Sequence, residues 1–336
     1  MRAFVTGATG FVGSEVARML SRAGHETACL VRGDPARLAG VDAPTIAVMG
    51  DLRDVSAFAP SLRGVDAVVH VGAVVDPRLQ RDRDTMWRVN RDATVALARA
   101  ARAAGVRRFV FTSSIAAMGF WSGRATAESV CTPDTGYGRA KLEAERELAL
   151  LQDPSFRVVV LRPPTVYGPG EPYNFLDWVR AIERGFFFFI GNGENRFPLA
   201  TTRNVARAAL SAAEGALSPG VHLVADRDPY SMKRIVSAIS AALGRTPPRV
   251  FVPVPVATAL GVGNEAVRRL VPRLPHLLSR ARVRTLTVDQ RMDVLSLVSA
   301  GVPLDSPLEE WVSLTVRDYE RRGLLPARTD RSLGVA

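Results

Sequence analysis

The chain has 336 residues, 47% of them hydrophobic and 23% charged, the composition of a globular protein large enough for one big domain or two coupled ones. The net charge of +11 raises the question of a polyanionic partner, but the basic residues are spread along the chain without a Lys/Arg block, zinc spacing or aromatic RNA-binding motif, so no nucleic acid is expected. Cys29 and Cys131 are too few for a disulfide framework and have no ligand spacing, so no metal is expected either.

Ala3-Phe4-Val5 predicts a short buried strand, and Val16, Met19 and Leu20 recur at helical spacing after it. Between them, Thr6-Gly7-Ala8-Thr9-Gly10-Phe11-Val12-Gly13 is a glycine-rich strand-to-helix turn, the context a dinucleotide site requires. Glycine there allows the tight turn, close approach of a pyrophosphate and packing of helix on strand, while the free N–H groups of the helix face the phosphates. Further strands are predicted at Glu26–Val31, Thr45–Met49, Ala67–Val71, Arg108–Thr112 and Val158–Leu161. Helices are predicted from Thr85 to Ala104, ending at Gly105, and over Gly136–Leu151. The strands are nearly continuous Val/Ile/Phe runs, as in a parallel sheet covered on both faces. The fold expected is α/β, a doubly wound parallel sheet with its ligand at the carboxyl ends of the strands.

After Pro163-Pro164 the alternation breaks, and Pro and Gly cluster through Tyr167–Pro172. Asn204–Glu214 and Val221–Val224 read as one more helix and strand of the sheet. The dinucleotide-binding domain is therefore expected over residues 1–165, completed by about 200–228, with a smaller C-terminal substrate lobe from 166–199 and 229–326. The N-terminus enters a strand directly and no apolar run is long enough for a membrane span, so a cytoplasmic location is the expectation.

Two constellations carry chemistry. In Tyr137-Gly-Arg-Ala-Lys141 the phenol and the ammonium, at i and i+4, share one helix face, and the cation is expected to lower the tyrosine pKa. Lys141 is one of two lysines, with Lys233, in a chain that otherwise writes its cations as arginine. Phe111-Thr112-Ser113-Ser114, ending a strand, offers a hydroxyl to a carbonyl oxygen opposite Tyr137.

These motifs occur in a fixed order with Gly50-Asp51-Leu52, His70-Val-Gly-Ala73, Val89-Asn90 and Leu161-Arg-Pro-Pro-Thr-Val-Tyr-Gly168, and over nearly its whole length the chain resembles the extended short-chain dehydrogenases/reductases. The resemblance implies a Rossmann fold with Tyr137 as general acid/base. It makes Lys141 the residue that lowers the tyrosine pKa and holds the nicotinamide ribose, and Ser114 the serine that polarises the substrate oxygen, five residues before Gly119. It implies cofactor contacts from Gly7, Thr9, Gly10, Phe11, Val12 and Gly13, from Asp51 and Leu52 to adenine, from Val71, Gly72 and Ala73, from Thr112, and from Pro164 and Val166 on the nicotinamide side. Asn90 is expected as a brace beneath the site. The pattern departs from many relatives at Met118, where a tyrosine is common.

Strand two ends Leu30-Val31-Arg32-Gly33-Asp34, and an acid there would bind the ribose 2′-hydroxyl and repel a 2′-phosphate. Arg32 can stack on adenine and pair with phosphate, which favours NADP; Asp34 keeps NAD as the alternative. The expected reaction is hydride transfer between the nicotinamide and a carbonyl or hydroxyl carbon of a small molecule, with a nucleotide-sugar epimerase or dehydratase retaining NAD as the alternative. Nucleotide-sugar relatives commonly carry Asp where this chain has Arg203-Asn204, and an Arg-Pro-Gly-Asp run where it has Leu286–Asp293, so the ending looks more like 3β-hydroxysteroid dehydrogenase-like and dihydroflavonol-reductase-like reductases. Arg196 is the residue that could grip a diphosphate. A cofactor-sensing protein without catalysis is disfavoured by the intact Ser/Tyr/Lys set. A homodimer is left open.

Four histidines, His25, His70, His222 and His276, are scattered like structural residues. Phe186–Phe189 is expected as a buried strand of the lobe, with a pocket wall as the alternative. Arg268, Arg269, Arg273, Arg280, Arg282 and Arg284 read as a solvated helix face, an anionic substrate or a membrane surface being the other uses.

Overall fold

The computed structural model describes residues 1–38, 41, 45–75, 83–270 and 280–326. In chain order its main elements are β1 (Arg2–Thr6), α1 (Phe11–Arg22), β2 (Glu26–Val31), β3 (Thr45–Met49), β4 (Ala67–His70), α2 (Ala93–Ala103), β5 (Arg108–Thr112), α3 (Gly136–Leu151), β6 (Arg157–Arg162), α4 (Asn174–Glu183), α5 (Thr202–Glu214), β7 (Gly220–Leu223), α6 (Met232–Ala242), α7 (Val254–Leu270) and α8 (Leu308–Arg321). Seven parallel strands form one sheet in the order β7-β6-β5-β4-β1-β2-β3. The order reverses between β1 and β4, and a doubly wound sheet opens its ligand crevice at that switch point.

Both faces of the sheet are covered, which is why the strand sequences are continuously apolar. On one face α1 and α5 pack through Val16, Ala17 and Leu20 against Val205, Ala208, Ala209 and Ala212, a small-residue seam that brings the helices close to the strands. On the other, Leu97, Ala98 and Ala101 of α2 and Ala144 and Leu148 of α3 bury Phe4, Phe109, Phe111 and Phe156. A separate core, with Tyr167, Phe175, Ile235, Trp311 and Tyr319, holds α4, α6 and α8 together as a lobe. Asp226 ties lobe to sheet. Its buried carboxylate accepts from Thr201 N (2.9 Å), Asn204 Nδ2 (2.8 Å), Tyr167 OH (3.0 Å) and Tyr230 OH (3.3 Å), and burial pushes its pKa up to about 6.

The structure departs from the sequence-based expectation in two places. The helix predicted from Thr85 to Ala104 is not continuous: Arg83–Trp87 is followed by a π-helical turn, Arg88–Asp92, before α2 begins. The wider turn accompanies an inward-facing Asn90, whose amide pairs with both backbone groups of Val74 (2.7 and 3.0 Å). The Phe186–Phe189 run is not a buried strand as a whole. Only Phe189 is in the two-residue strand Phe189–Ile190 and buried, while Phe186 and Phe188 are exposed.

Candidate active site

At the carboxyl ends of β1, β4 and β5 lies a cleft of about 1230 Å³. Its floor begins with the glycine turn. Gly7 has φ +72°, and a Cβ there would stand 2.7 Å from Gly72 N; a Cβ on Gly13 would lie 2.0 Å from Gly7 O. The turn therefore needs glycine both for its backbone conformation and for seating α1 against it. Gly10 precedes α1 with no side-chain cap, and the first turn of the helix has no acid. The leading N–H groups of α1 are thus left to an anion. Beneath the turn, Thr6 Oγ1 meets buried His70 Nδ1 at 2.6 Å and accepts from Gly72 N (3.1 Å), tying β1 to the chain after β4. Burial and, next, the charge of Lys141 push the His70 pKa down to about 3, so the ring is a neutral brace.

The chemical groups come from β5 and α3. Ser114 follows β5, its hydroxyl accepting from Ala116 N (3.2 Å). Thr135 caps α3 by accepting from Gly138 N (3.0 Å). A Cβ on Gly138 would lie 2.1 Å from Ala116 O, so glycine there lets α3 press onto the Ser114 loop and brings Tyr137 to the serine. Lys141, 1% exposed, donates to Thr112 O (2.9 Å) and lies 4.5 Å from the Phe111 ring centroid and 5.9 Å from that of Tyr137.

The tyrosine does not behave as its spacing from Lys141 suggested. Burial pushes the Tyr137 phenol up to about 12, opposed in part by its hydrogen bond with Ser114. The physical reason is desolvation of both partners. Lys141 itself comes down to about 7 through burial, partly restored by Glu145, and its amine is engaged with the Thr112 carbonyl.

Behind these groups is a buried polar cluster that sequence reading missed. Glu145 stands one turn after Lys141 on α3 and accepts from Ser113 Oγ and from Arg162, whose Nε lies 3.1 Å and Nη2 2.5 Å from its carboxylate. Both ionic side chains are about 5% exposed or less. The signal was present: Tyr137, Lys141 and Glu145 follow one another at i+4.

At the other end of the cleft, Arg32 directly follows β2, with Arg37 and Arg53 in the same wall. Asp51 organises two of them, accepting from Arg53 Nη2 at 2.7 Å and lying 3.9 Å from Arg32 Nη1. The Arg53 hydrogen bonds hold the Asp51 carboxyl below its usual range. Asp34 accepts from Ala36 N (2.8 Å) and caps its own turn, outside the cleft lining.

The cleft brings together Gly7, Thr9, Gly10, Phe11, Val12 and Gly13 with Arg32, Asp51 and Leu52, with Val71, Gly72 and Ala73, and with Thr112, Ser114, Tyr137, Lys141, Pro164 and Val166. It does not bring in Arg196, whose Nη1 donates to Pro229 O (3.1 Å). Nor does Asn204 reach it; that side chain is buried on Asp226, so its difference from relatives concerns packing. Sequence reading missed Arg37 and Arg53, the apolar wall of Val74, Val75, Val89 and Ile115, and the lobe's contribution of Glu171–Asn174 and Arg322. Arg273 and His276 lie outside the described residues, as do the side chains of Arg268, Arg269, Arg280 and Arg282, while Arg284 stacks on Phe120 at 3.8 Å. Among the described residues no three His, Cys, Asp or Glu side chains converge as metal ligands.

A dinucleotide fits these groups. Thr112 Oγ1 is buried with no hydrogen-bond partner among the described residues, and the glycine cradle leaves no room for a side chain. Residues 3–225 match the model of the NAD dependent epimerase/dehydratase family. Among curated proteins, UDP-glucose 4-epimerase of Vibrio cholerae is 31% identical over 266 residues, covering 75% of this chain and 78% of the relative. Ceramide reductase of Caulobacter vibrioides is 28% identical over 331 residues, covering 96% and 95%. Among solved structures, UDP-glucuronic acid 4-epimerase from Bacillus cereus in complex with NAD superposes with a TM-score of 0.74 at 17% identity, over 96% of this chain and 97% of that one, a likeness of fold.

Proposed function

The chain belongs to the NAD-dependent epimerase/dehydratase family, and from that premise we propose that it is an NADP-dependent reductase of a small carbonyl compound with an apolar body. The observation that carries the reading is the convergence of Ser114, Tyr137 and Lys141 on one cleft that also has an arginine-lined end. A nicotinamide dinucleotide, when bound, supplies the hydride. The N–H groups at the start of α1 would hold its pyrophosphate, and Lys141 with Thr112 Oγ1 would hold it near the reacting centre. Arg32, Arg37 and Arg53 favour a cofactor with an additional phosphate, and the engagement of Asp34 with its own turn takes away the acid that would oppose one.

Tyr137, with a pKa of about 12, keeps its proton through the neutral range and gives it to the substrate oxygen as the carbonyl becomes an alcohol. Ser114 orients that oxygen. The Val74, Val75, Val89 and Ile115 wall would take an apolar body, gaining about 25 cal/mol for each Å² removed from water. The Phe186–Phe189 run has no part in this, since it stands outside the lining.

A second reading, epimerisation or dehydration of a nucleotide sugar with NAD retained, draws on the likeness to the Vibrio cholerae epimerase. The two separate by stoichiometry. A panel of hydrophobic ketones and nucleotide sugars, assayed for product and nicotinamide absorbance together, should give one NADPH oxidised per alcohol formed. Conversion of a nucleotide sugar with no net cofactor change would replace the reductase reading with the second.

A further inference from the structure

The lobe carries an apolar surface that the cleft does not use. Phe189–Ile190 and Phe251–Val252 form a two-stranded parallel pair, in register Phe189 with Phe251, whose rings stack at 4.9 Å. Phe186 and Phe188 just before it, Phe251 on the partner strand and Val250 just ahead of that strand are exposed, Phe186 by 77% and Val250 by 61%. Two residues on, α7 begins and packs over the pair through buried Ala257, which contacts the cluster of Ile190 and Val283.

The outer face of α7 is the unusual one. Ala257 and Gly261, four apart, are buried and define its inner face, yet Val256, Leu260 and Val262 are exposed, Leu260 by 59%. A surface helix normally puts charge there. Here the fifteen residues from Val250 to Asn264 contain no charged side chain. An exposed apolar surface of this kind marks an interaction site. Among the described residues, no helix is long and apolar enough to cross a membrane.

Charge identifies the occupant. The basic residues of the chain are evenly spread, but the acidic ones are not. Residues 229–288 hold ten basic residues against one acid, Glu265, whereas the rest of the chain is nearly balanced at 34 against 32. Most of the net charge of +11 therefore belongs to the segment that contains the apolar surface. Exposed Arg184 and Arg249 flank it directly, Arg184 two residues before Phe186 and Arg249 next to Val250, while Arg245 is paired with Glu183 (3.3 Å). A second copy of the chain would bring this positive face against itself. Nucleic acid would meet the charge but leave the Phe, Val and Leu side chains without a partner. A bilayer with anionic headgroups satisfies both, its phosphates meeting the arginines and its acyl boundary taking the apolar side chains.

We propose that the surface formed by Phe186, Phe188, Val250, Phe251 and the outer face of α7 seats the protein on an anionic lipid bilayer as a peripheral, non-spanning attachment. The inference is independent of the reaction assigned to the cleft, and it is tested without any catalytic assay. The full chain is floated with vesicles of phosphatidylcholine alone and with about a third phosphatidylglycerol, at low salt and at about 0.5 M salt, where the screening length falls to a few ångströms. Binding should require the anionic lipid and be lost at high salt. Arg184→Gln/Arg249→Gln should weaken it roughly twenty-five-fold, two contributions of about five-fold each. Phe186→Ser/Leu260→Ser should weaken it at unchanged charge, with the thermal midpoint of each variant confirming the fold. No binding to anionic vesicles, equal binding to both vesicle types, or binding that the Phe186→Ser/Leu260→Ser variant keeps in full would each overturn the proposal. So would a dimer in solution that this variant dissociates, because a second copy would then cover the face.

Discussion

The two ends of the cleft are built by opposite means. At the reacting end Lys141, Glu145 and Arg162 are almost wholly buried, and burial sets the proton affinities of Tyr137 and Lys141. At the far end Arg32 and Arg53 stand mostly in solvent, and among the described residues it is Asp51 that restrains them. Proton transfer needs a group whose pKa is set and whose position is fixed, and both come from removing it from water and pinning it to buried partners. Choosing between cofactors that differ by one phosphate needs only a charge of the right sign within reach, and a solvated arginine supplies that.

The difference can be broken most severely at Tyr137. Tyr137→Phe should lower turnover on the order of 10²–10⁴-fold while leaving cofactor affinity in place, since only the hydroxyl carries the proton. Steady-state kinetics with a cofactor titration checks it; a variant of near-normal activity would remove Tyr137 as the acid.

Glu145→Gln tests the burial behind it. Removing one member of a buried ion pair strands Arg162, and stability should fall by about 3–5 kcal/mol in urea denaturation. Arg53→Gln, breaking an exposed pair at the other end, should leave the denaturation midpoint where it was.

Arg32→Asp addresses selectivity. Replacing a phosphate partner by a like charge should move the NADP/NAD affinity ratio roughly ten- to hundred-fold towards NAD, about 1.5–3 kcal/mol for one charge-assisted contact. Calorimetric titration with both cofactors decides it, and an unchanged ratio would leave Arg32 as surface charge.

A further effect is a slope in pH. The Lys141 pKa is about 7 in the folded chain and 10.5 for an ordinary lysine. Between those values the unfolded chain binds a proton that the folded chain has released, so stability rises with pH by up to about 1.4 kcal/mol per unit. Below about 7 both forms are protonated and this contribution is flat. Lys141→Met should flatten the rise between pH 7 and 10.5, measured as the difference between variant and parent.

Much of this was legible in the sequence, for identifiable reasons. The strands could be read because each is covered on both faces and therefore continuously apolar. The pairing of Tyr137 with Lys141 in the cleft could be read because they share a helix face, and the glycine turn because strand and helix flank it. What escaped depends on tertiary contacts. The π turn accompanies an Asn90 that reaches the backbone of Val74, sixteen residues away. Arg37 and Arg53 enter the same wall as Arg32 only once β2 and β3 are paired. Arg322 arrives from the end of α8, with no local pattern to announce it. The Tyr137 pKa was read in the wrong direction because spacing shows which charges are near and not how much water both groups lose. Phe186 and Phe188 were expected inside, and their exposure became visible only with the two-residue length of their strand.

The central claim, a hydride delivered to a carbonyl and not taken back, is tested most directly with NADPH labelled by deuterium at the nicotinamide C4 position. The account predicts an alcohol carrying one deuterium on its carbinol carbon for each cofactor oxidised, with formation of that product abolished in Tyr137→Phe. A nucleotide sugar converted to its epimer or dehydrated product, with no deuterium incorporated from added cofactor and none of that cofactor consumed, would contradict it.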